Sequence, residues 1–188
     1  TEIYTLSLHD ALPISAYHKI HHPHLFNREF LDRVRDPRAV DPVEDILGPD
    51  ILAINTLVIF KAPKIGLGFP WHQDKFYFRQ SYITDTTVGT WQAIDDATVE
   101  NGCLWVIPGS HREEVSEHDR LEGSQQEEFR LARNADESRG IPLEMQAGDL
   151  LWFHSHLFHK SIDNRTDAFR RCYVAHYLSA CAKYVGEG

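Results

Sequence analysis

Apolar residues change their spacing near position 50. Over 25–36, Leu25, Phe26, Phe30, Leu31 and Val34 recur at a helical period. Residues 41–48 predict a second short helix, with Asp41 as N-cap, Pro42 at the first helical position and Gly48 as the stop. From 51 to 60 a continuous apolar run reads as a buried strand. A loop marked by Pro63, Gly66, Gly68 and Pro70 leads into Trp-His-Gln-Asp-Lys-Phe-Tyr-Phe at 71–78, read as extended. Further strands are predicted over 88–94, 103–107, 150–159 and 169–180. Turns are expected at 108–111, where His111 should bond to backbone, at 148–149 and at 164–167. Many short strands preceded by helices predict a mainly β fold, a sandwich or jelly-roll barrel with helices packed outside.

Residues 112–140 break the pattern. They are polar and rich in glutamate, with Gly123, Ser124 and Gly140 as breakers, and are expected to form an insertion or lid. There is no repeat and no sign of a second domain, so 16–188 reads as one domain. Residues 1–15, TEIYTLSLHDALPIS, resemble translated sequencing-adapter sequence and are expected to be a non-native leader on an N-terminally truncated chain. The histidines at 18, 21, 22 and 24 fit no compact metal site, and this tract is expected to be solvated.

Composition narrows the function. With 188 residues, 42% of them hydrophobic, the chain can bury a core. A net charge of −9 argues against nucleic-acid and anionic-membrane partners, and no apolar run reaches the length of a membrane span. The expected partner is a small molecule; the sequence does not indicate an oligomeric state. Cys103, Cys172 and Cys181 form no CxxC pair and read as free thiols of a reducing, cytoplasmic setting.

The candidate chemistry lies in 71–78. On an extended strand residues i and i+2 point the same way, so His72 and Asp74 would converge. They would form two thirds of the 2-His-1-carboxylate set that holds non-haem Fe(II) with positions left open. A second histidine must come from His154, His156 or His159. On one regular strand, Leu151, Phe153, Ser155 and Leu157 make an apolar or small face ending in His159, which favours His159; a single bulge would reverse the faces. Beyond the following turn, either Arg170 or Arg171 could grip a carboxylate with its guanidinium fork.

Trp-His-Gln-Asp at 71–74, Asn-Gly-Cys-Leu at 101–104, Pro-Gly-Ser-His at 108–111, Gly-Asp at 148–149, and Phe-His-Lys-Ser at 158–161 with Asn164 and Arg170 occur in that order. The series resembles the phytanoyl-CoA dioxygenase family of Fe(II)/2-oxoglutarate oxygenases, from about residue 46, or from 17, to 180. The resemblance implies a double-stranded β-helix (jelly-roll) core. It implies His72, Asp74 and His159 as iron ligands and Arg170 as anchor for the distal carboxylate of 2-oxoglutarate. It further implies Ser161, Trp91, Leu57 and Lys19 around that co-substrate. The family reaction would consume O2 and 2-oxoglutarate, form succinate and CO2, and hydroxylate a small molecule. Related halogenases lack the carboxylate, so Asp74 favours hydroxylation. Lys160 departs from the family pattern, where glycine is usual.

Two other readings compete. One is a non-catalytic jelly-roll module that binds a metal or small ligand. The other is a zinc hydrolase, for which no general base is evident. Glu113, Glu114, Glu117, Glu122, Glu127 and Glu128 in the insertion favour a neutral or cationic substrate over a CoA thioester.

Overall fold

The computed structural model describes residues 18–78, 81–83, 86–121 and 129–186. The leader stretch 1–15 and the insertion residues Glu122, Gly123, Ser124, Glu127 and Glu128 lie outside the described residues. The strands are β1 (Lys19–His21), β2 (Ile51–Lys61), β3 (Phe69–His72), β4 (Tyr82–Ile83), β5 (Val88–Ala93), β6 (Leu104–Val106), β7 (His118–Arg120), β8 (Arg130–Ala132), β9 (Ile141–Leu143), β10 (Leu150–His154), β11 (His159–Ser161), β12 (Arg170–Ser179) and β13 (Lys183–Tyr184). The helices are α1 (Arg28–Val34), α2 (Pro37–Leu47) and α3 (Asp74–Phe78). No helix among the described residues is long and apolar enough to cross a membrane.

Two antiparallel sheets, ordered β1-β2-β12-β5-β10 and β3-β11-β6-β9, make the jelly-roll. They remain separate sheets rather than one continuous closed barrel. Strand β12 shows why they stack. Its Cys172 and Val174 face the inner core with Trp91, Leu104 and Phe153. Its Tyr173, Ala175 and Tyr177 face outward to Val34 and Val43 of the helices. This is the period-2 alternation of a strand covered on both faces. The outward tyrosines also donate to the carbonyls of Phe30 and Val34, which fixes α1 on the sheet.

Four sequence expectations need correction. Helix α2 begins at Pro37 with Asp36 as its cap, not at Asp41-Pro42. The Asp-Pro signature occurs twice, and the earlier copy places Ala39 and Val43 in the core. Pro42 therefore lies inside the helix and gives up one backbone hydrogen bond. The run 150–159 is not one strand. Leu157 N–H donates to His154 O, and His156 N–H donates to the His154 ring, closing a turn that carries the chain from β10 in one sheet to β11 in the other. The run 71–78 is likewise split, with β3 ending at His72 and α3 starting at Asp74. In the 108–111 turn the buried backbone partner is Ser110, whose Oγ accepts from Phe158 N–H, while His111 is exposed.

The described part of the insertion contains an ordered hairpin, β7 with β8. Its Phe129 is buried and lines the central cavity.

Candidate metal centre

Register places the first two donors. Strand β11 pairs antiparallel with β3, with His159 opposite His72, and the ring centroids are 4.0 Å apart. Asp74 joins them from the first turn of α3. Its Oδ1 lies 3.5 Å from His72 Nε2 and 3.7 Å from His159 Nε2. One donor atom from each of the three buried residues falls within 4.8 Å of the others. The structure thus brings His72, Asp74 and His159 together, though not by alternation along a strand. His154, at the end of β10, and His156, on the turn, lie outside this group.

The protons are placed for ligation. His72 Nδ1 is 2.8 Å from Pro70 O, and His159 Nδ1 is 3.0 Å from Leu157 O. A carbonyl only accepts, so each Nδ1 carries the proton and each Nε2 of the neutral ring keeps its lone pair. Burial, reinforced by the neighbouring His72, pushes His159 down to about 4, so this ring is neutral at neutral pH. Burial alone would raise the Asp74 carboxyl. The His176 imidazole beside it, which donates its Nε2–H to Oδ2, holds it well below the usual range.

Arg170 and Arg171 part at the start of β12. Arg171 is exposed and pairs through both nitrogens with Asp95, at 2.8 and 2.7 Å. Arg170 is 2% exposed, its Nε has no partner, and its Nη1 meets only the Cys172 sulfur at 3.1 Å. Its guanidinium lies 5.5 Å from the Trp91 ring centroid. A buried cation with an orphan donor calls for an anion. Arg170 lines a cavity of about 290 Å³ together with His72, Asp74, His159, Ser161, Trp91, Leu57 and Lys19. Ser161 Oγ accepts from Phe69 N–H, and Lys19 Nζ lies 4.6 Å from the Phe69 ring centroid.

Lys61, His176 and Gln73 were not nominated by sequence. Lys61 faces Arg170 across the β2–β12 pair and is 2% exposed. Its Nζ donates to Leu67 O and Ile162 O, and burial, with Arg170 nearby, pushes it down to about 6. Gly102, at φ +90°, lies against Ile162 O and the Lys61 stem, leaving no room for a side chain. That close approach accounts for the glycine of Asn-Gly-Cys-Leu. Lys160, where the family pattern has glycine, places its Nζ 4.8 Å from the Trp71 ring centroid and pairs with Glu137.

Among the described residues, the cavity lining contains Lys19, Lys61, Lys160 and Arg170 but one carboxylate, Asp74. Of the insertion's acids, Glu113 pairs with Arg139, and Glu137 pairs with Lys160 at the edge of the lining. The described part of the lining lends no support to a cationic substrate.

Gln73, fully buried between His72 and Asp74, clasps the insertion to this group. Its Nε2 donates to His156 O and Glu114 O, and its Oε1 accepts from Ser116 N–H. The backbone N–H of Gln73 donates to His118 Nε2. Gln73→Leu is expected to strip partners from buried backbone groups and cost about 3 kcal/mol of stability. Chemical denaturation measures this; a loss under about 1 kcal/mol would show that the clasp carries little.

Comparison with known proteins shows the family and the fold. The family model described as "Phytanoyl-CoA dioxygenase (PhyH)" matches residues 4–172, a span that reaches into the 1–15 stretch. Human peroxisomal phytanoyl-CoA dioxygenase is 35% identical over 155 residues, 79% of this chain and 46% of the human protein. A probable phytanoyl-CoA dioxygenase of Caenorhabditis elegans is 35% identical over 152 residues, 76% of this chain and 48% of that protein. The chain thus spans about half the length of these curated relatives. Among solved structures, EvdO2 from Micromonospora carbonacea, complexed with 2-oxoglutarate, superposes with a TM-score of 0.76 at 26% identity, over 90% of this chain and 69% of that one. The epimerase SnoN shares the fold, with a TM-score of 0.73 at 22% identity, over 88% of this chain and 64% of its own.

Proposed function

The chain belongs to the phytanoyl-CoA dioxygenase family, and from that premise we propose that it is a non-haem Fe(II)- and 2-oxoglutarate-dependent oxygenase that hydroxylates a small molecule and forms succinate and CO2. One observation carries the reading: three buried, convergent donors share a cavity with a buried guanidinium that has no carboxylate partner.

His72, Asp74 and His159 would hold Fe(II), and their type and number fit it, since three protein donors leave positions for small ligands. Bound iron would supply O2 activation coupled to oxidative decarboxylation of the co-substrate. The protein's own part is to orient and to exclude water. The Nδ1–H bonds of His72 and His159 aim both rings. Arg170 would grip the distal carboxylate of 2-oxoglutarate, with the Ser161 hydroxyl near and Trp91 and Leu57 as apolar walls. Lys19 reaches the same cavity from β1. Phe69, Phe129 and Phe153 supply apolar surface around the donors, where a dry site strengthens every charge pairing.

Anaerobic titration of the metal-free protein with Fe(II) and 2-oxoglutarate tests this. The expected result is a visible charge-transfer band that needs both components and bleaches on exposure to O2. Fe(II) binding with no such band would favour a ligand-binding module without turnover.

A further inference from the structure

His176 touches the metal donors yet has no part in the reading above. It stands on β12, 3% exposed, and its Nε2 is 2.8 Å from Asp74 Oδ2. A carboxylate oxygen accepts, so the proton is on Nε2. The two oxygens of Asp74 therefore have different partners. Oδ2 is engaged by His176, while Oδ1 faces His72 and His159. The His176 ring is wedged by Phe78, with centroids 5.0 Å apart, and by Phe153 at 6.5 Å. Its Nδ1 is buried without a partner, so no second hydrogen bond directs the ring elsewhere. An unpaired buried nitrogen has a free-energy cost, which marks the residue as more than filling.

We infer that His176 is a positioning residue for the metal centre: its Nε2–H holds Asp74 Oδ2 so that the carboxylate offers the metal one oxygen, Oδ1. The inference rests on the proposed metal centre. Its consequence concerns the open positions. A carboxylate free to rotate could offer both oxygens and close a position that a co-substrate needs. Strand alternation explains how His176 arrives there. Residues 170, 172, 174 and 176 share the inner face of β12, and Arg170, Val174 and His176 all line the cavity. One strand thus carries both the buried guanidinium and the brace on the carboxylate, which fixes their separation along the strand.

The test compares wild type, His176→Gln, His176→Asn and His176→Leu. Co(II) is the probe, added without 2-oxoglutarate and followed by its d–d absorption, and the melting of each metal-free protein is recorded alongside. A glutamine can place its Nε2 where the imidazole Nε2 stands; asparagine stops short. His176→Leu and His176→Asn are expected to weaken Co(II) binding by about 10- to 100-fold and alter the d–d spectrum, with His176→Gln staying within about 3-fold of wild type. Equal affinity in all variants, or Gln and Asn variants that behave alike, would overturn the inference, because packing alone would lower melting without separating these two amides. If the leucine variant does not fold, the Gln–Asn comparison decides. A wild type that binds Co(II) but never turns over 2-oxoglutarate would sink the oxygenase reading and leave this one standing. A wild type that binds no Co(II) would overturn both.

Discussion

His72→Ala, Asp74→Ala and His159→Ala are each expected to abolish iron-dependent conversion of 2-oxoglutarate to succinate, while His156→Ala keeps it. Removing one donor leaves two, and the vacated space in a buried site admits water in place of a fixed ligand. Asp74→Ala does further damage, since it removes the only carboxylate that the described residues give the cavity lining and leaves the His176 Nε2–H without an acceptor. His156 is the informative control. It is three residues from His159, yet its ring reaches the Glu113 carbonyl at 3.3 Å and not the donor group. Succinate formation measured with and without added Fe(II), across a substrate panel, gives the result. Loss in His156→Ala with retention in His159→Ala would show the ligand set to be wrong.

The second large effect separates two adjacent arginines. Arg170→Ala is expected to weaken 2-oxoglutarate binding about 100-fold, within the 2–5 kcal/mol typical for truncating one partner of a buried charge pair. Arg171→Ala breaks an exposed pair with Asp95, a change of about 0.2–1 kcal/mol in stability, and should leave co-substrate binding within about 2-fold. Arg170→Lys should recover only part of the loss, because an ammonium cannot present the planar fork. Calorimetric titration of 2-oxoglutarate into the metal-loaded protein reads all three. Equal effects at 170 and 171 would mean that the anchor is misassigned.

Sequence and structure agree most closely where the signal is periodic. The inner and outer faces of β12 follow from alternation alone, and that alternation also separates a buried Arg170 from an exposed Arg171. Gly148 and the 164–167 turn lie where their residue types put them; Asn164 Oδ1 accepts from Thr166 N–H within the turn. Agreement weakens where two local signals compete. Asp36-Pro37 and Asp41-Pro42 carry the same capping chemistry, and only the packing of Ala39 and Val43 against the sheet selects between them. Residues 150–159 look like one strand because both halves are apolar, yet the turn at 155–156 sends them to different sheets. His159 faces His72 because β11 pairs with β3, not because of its parity with Leu151 and Phe153.

Residue types and their ordered spacing were therefore enough to name a jelly-roll and to nominate His72, Asp74, His159 and Arg170 as a candidate site, since turn chemistry and donor type are carried by neighbours in the chain. Gln73, Lys61 and His176 could not be picked out that way. Each is polar and unremarkable in sequence, and each takes its meaning from burial and from partners far along the chain. Gln73 bonds across to 114, 116 and 156, Lys61 to 162, and His176 to Asp74. Such pairings depend on which strands adjoin and in what register, and a buried polar group acquires its energetic weight only once the folded chain has taken water away from it.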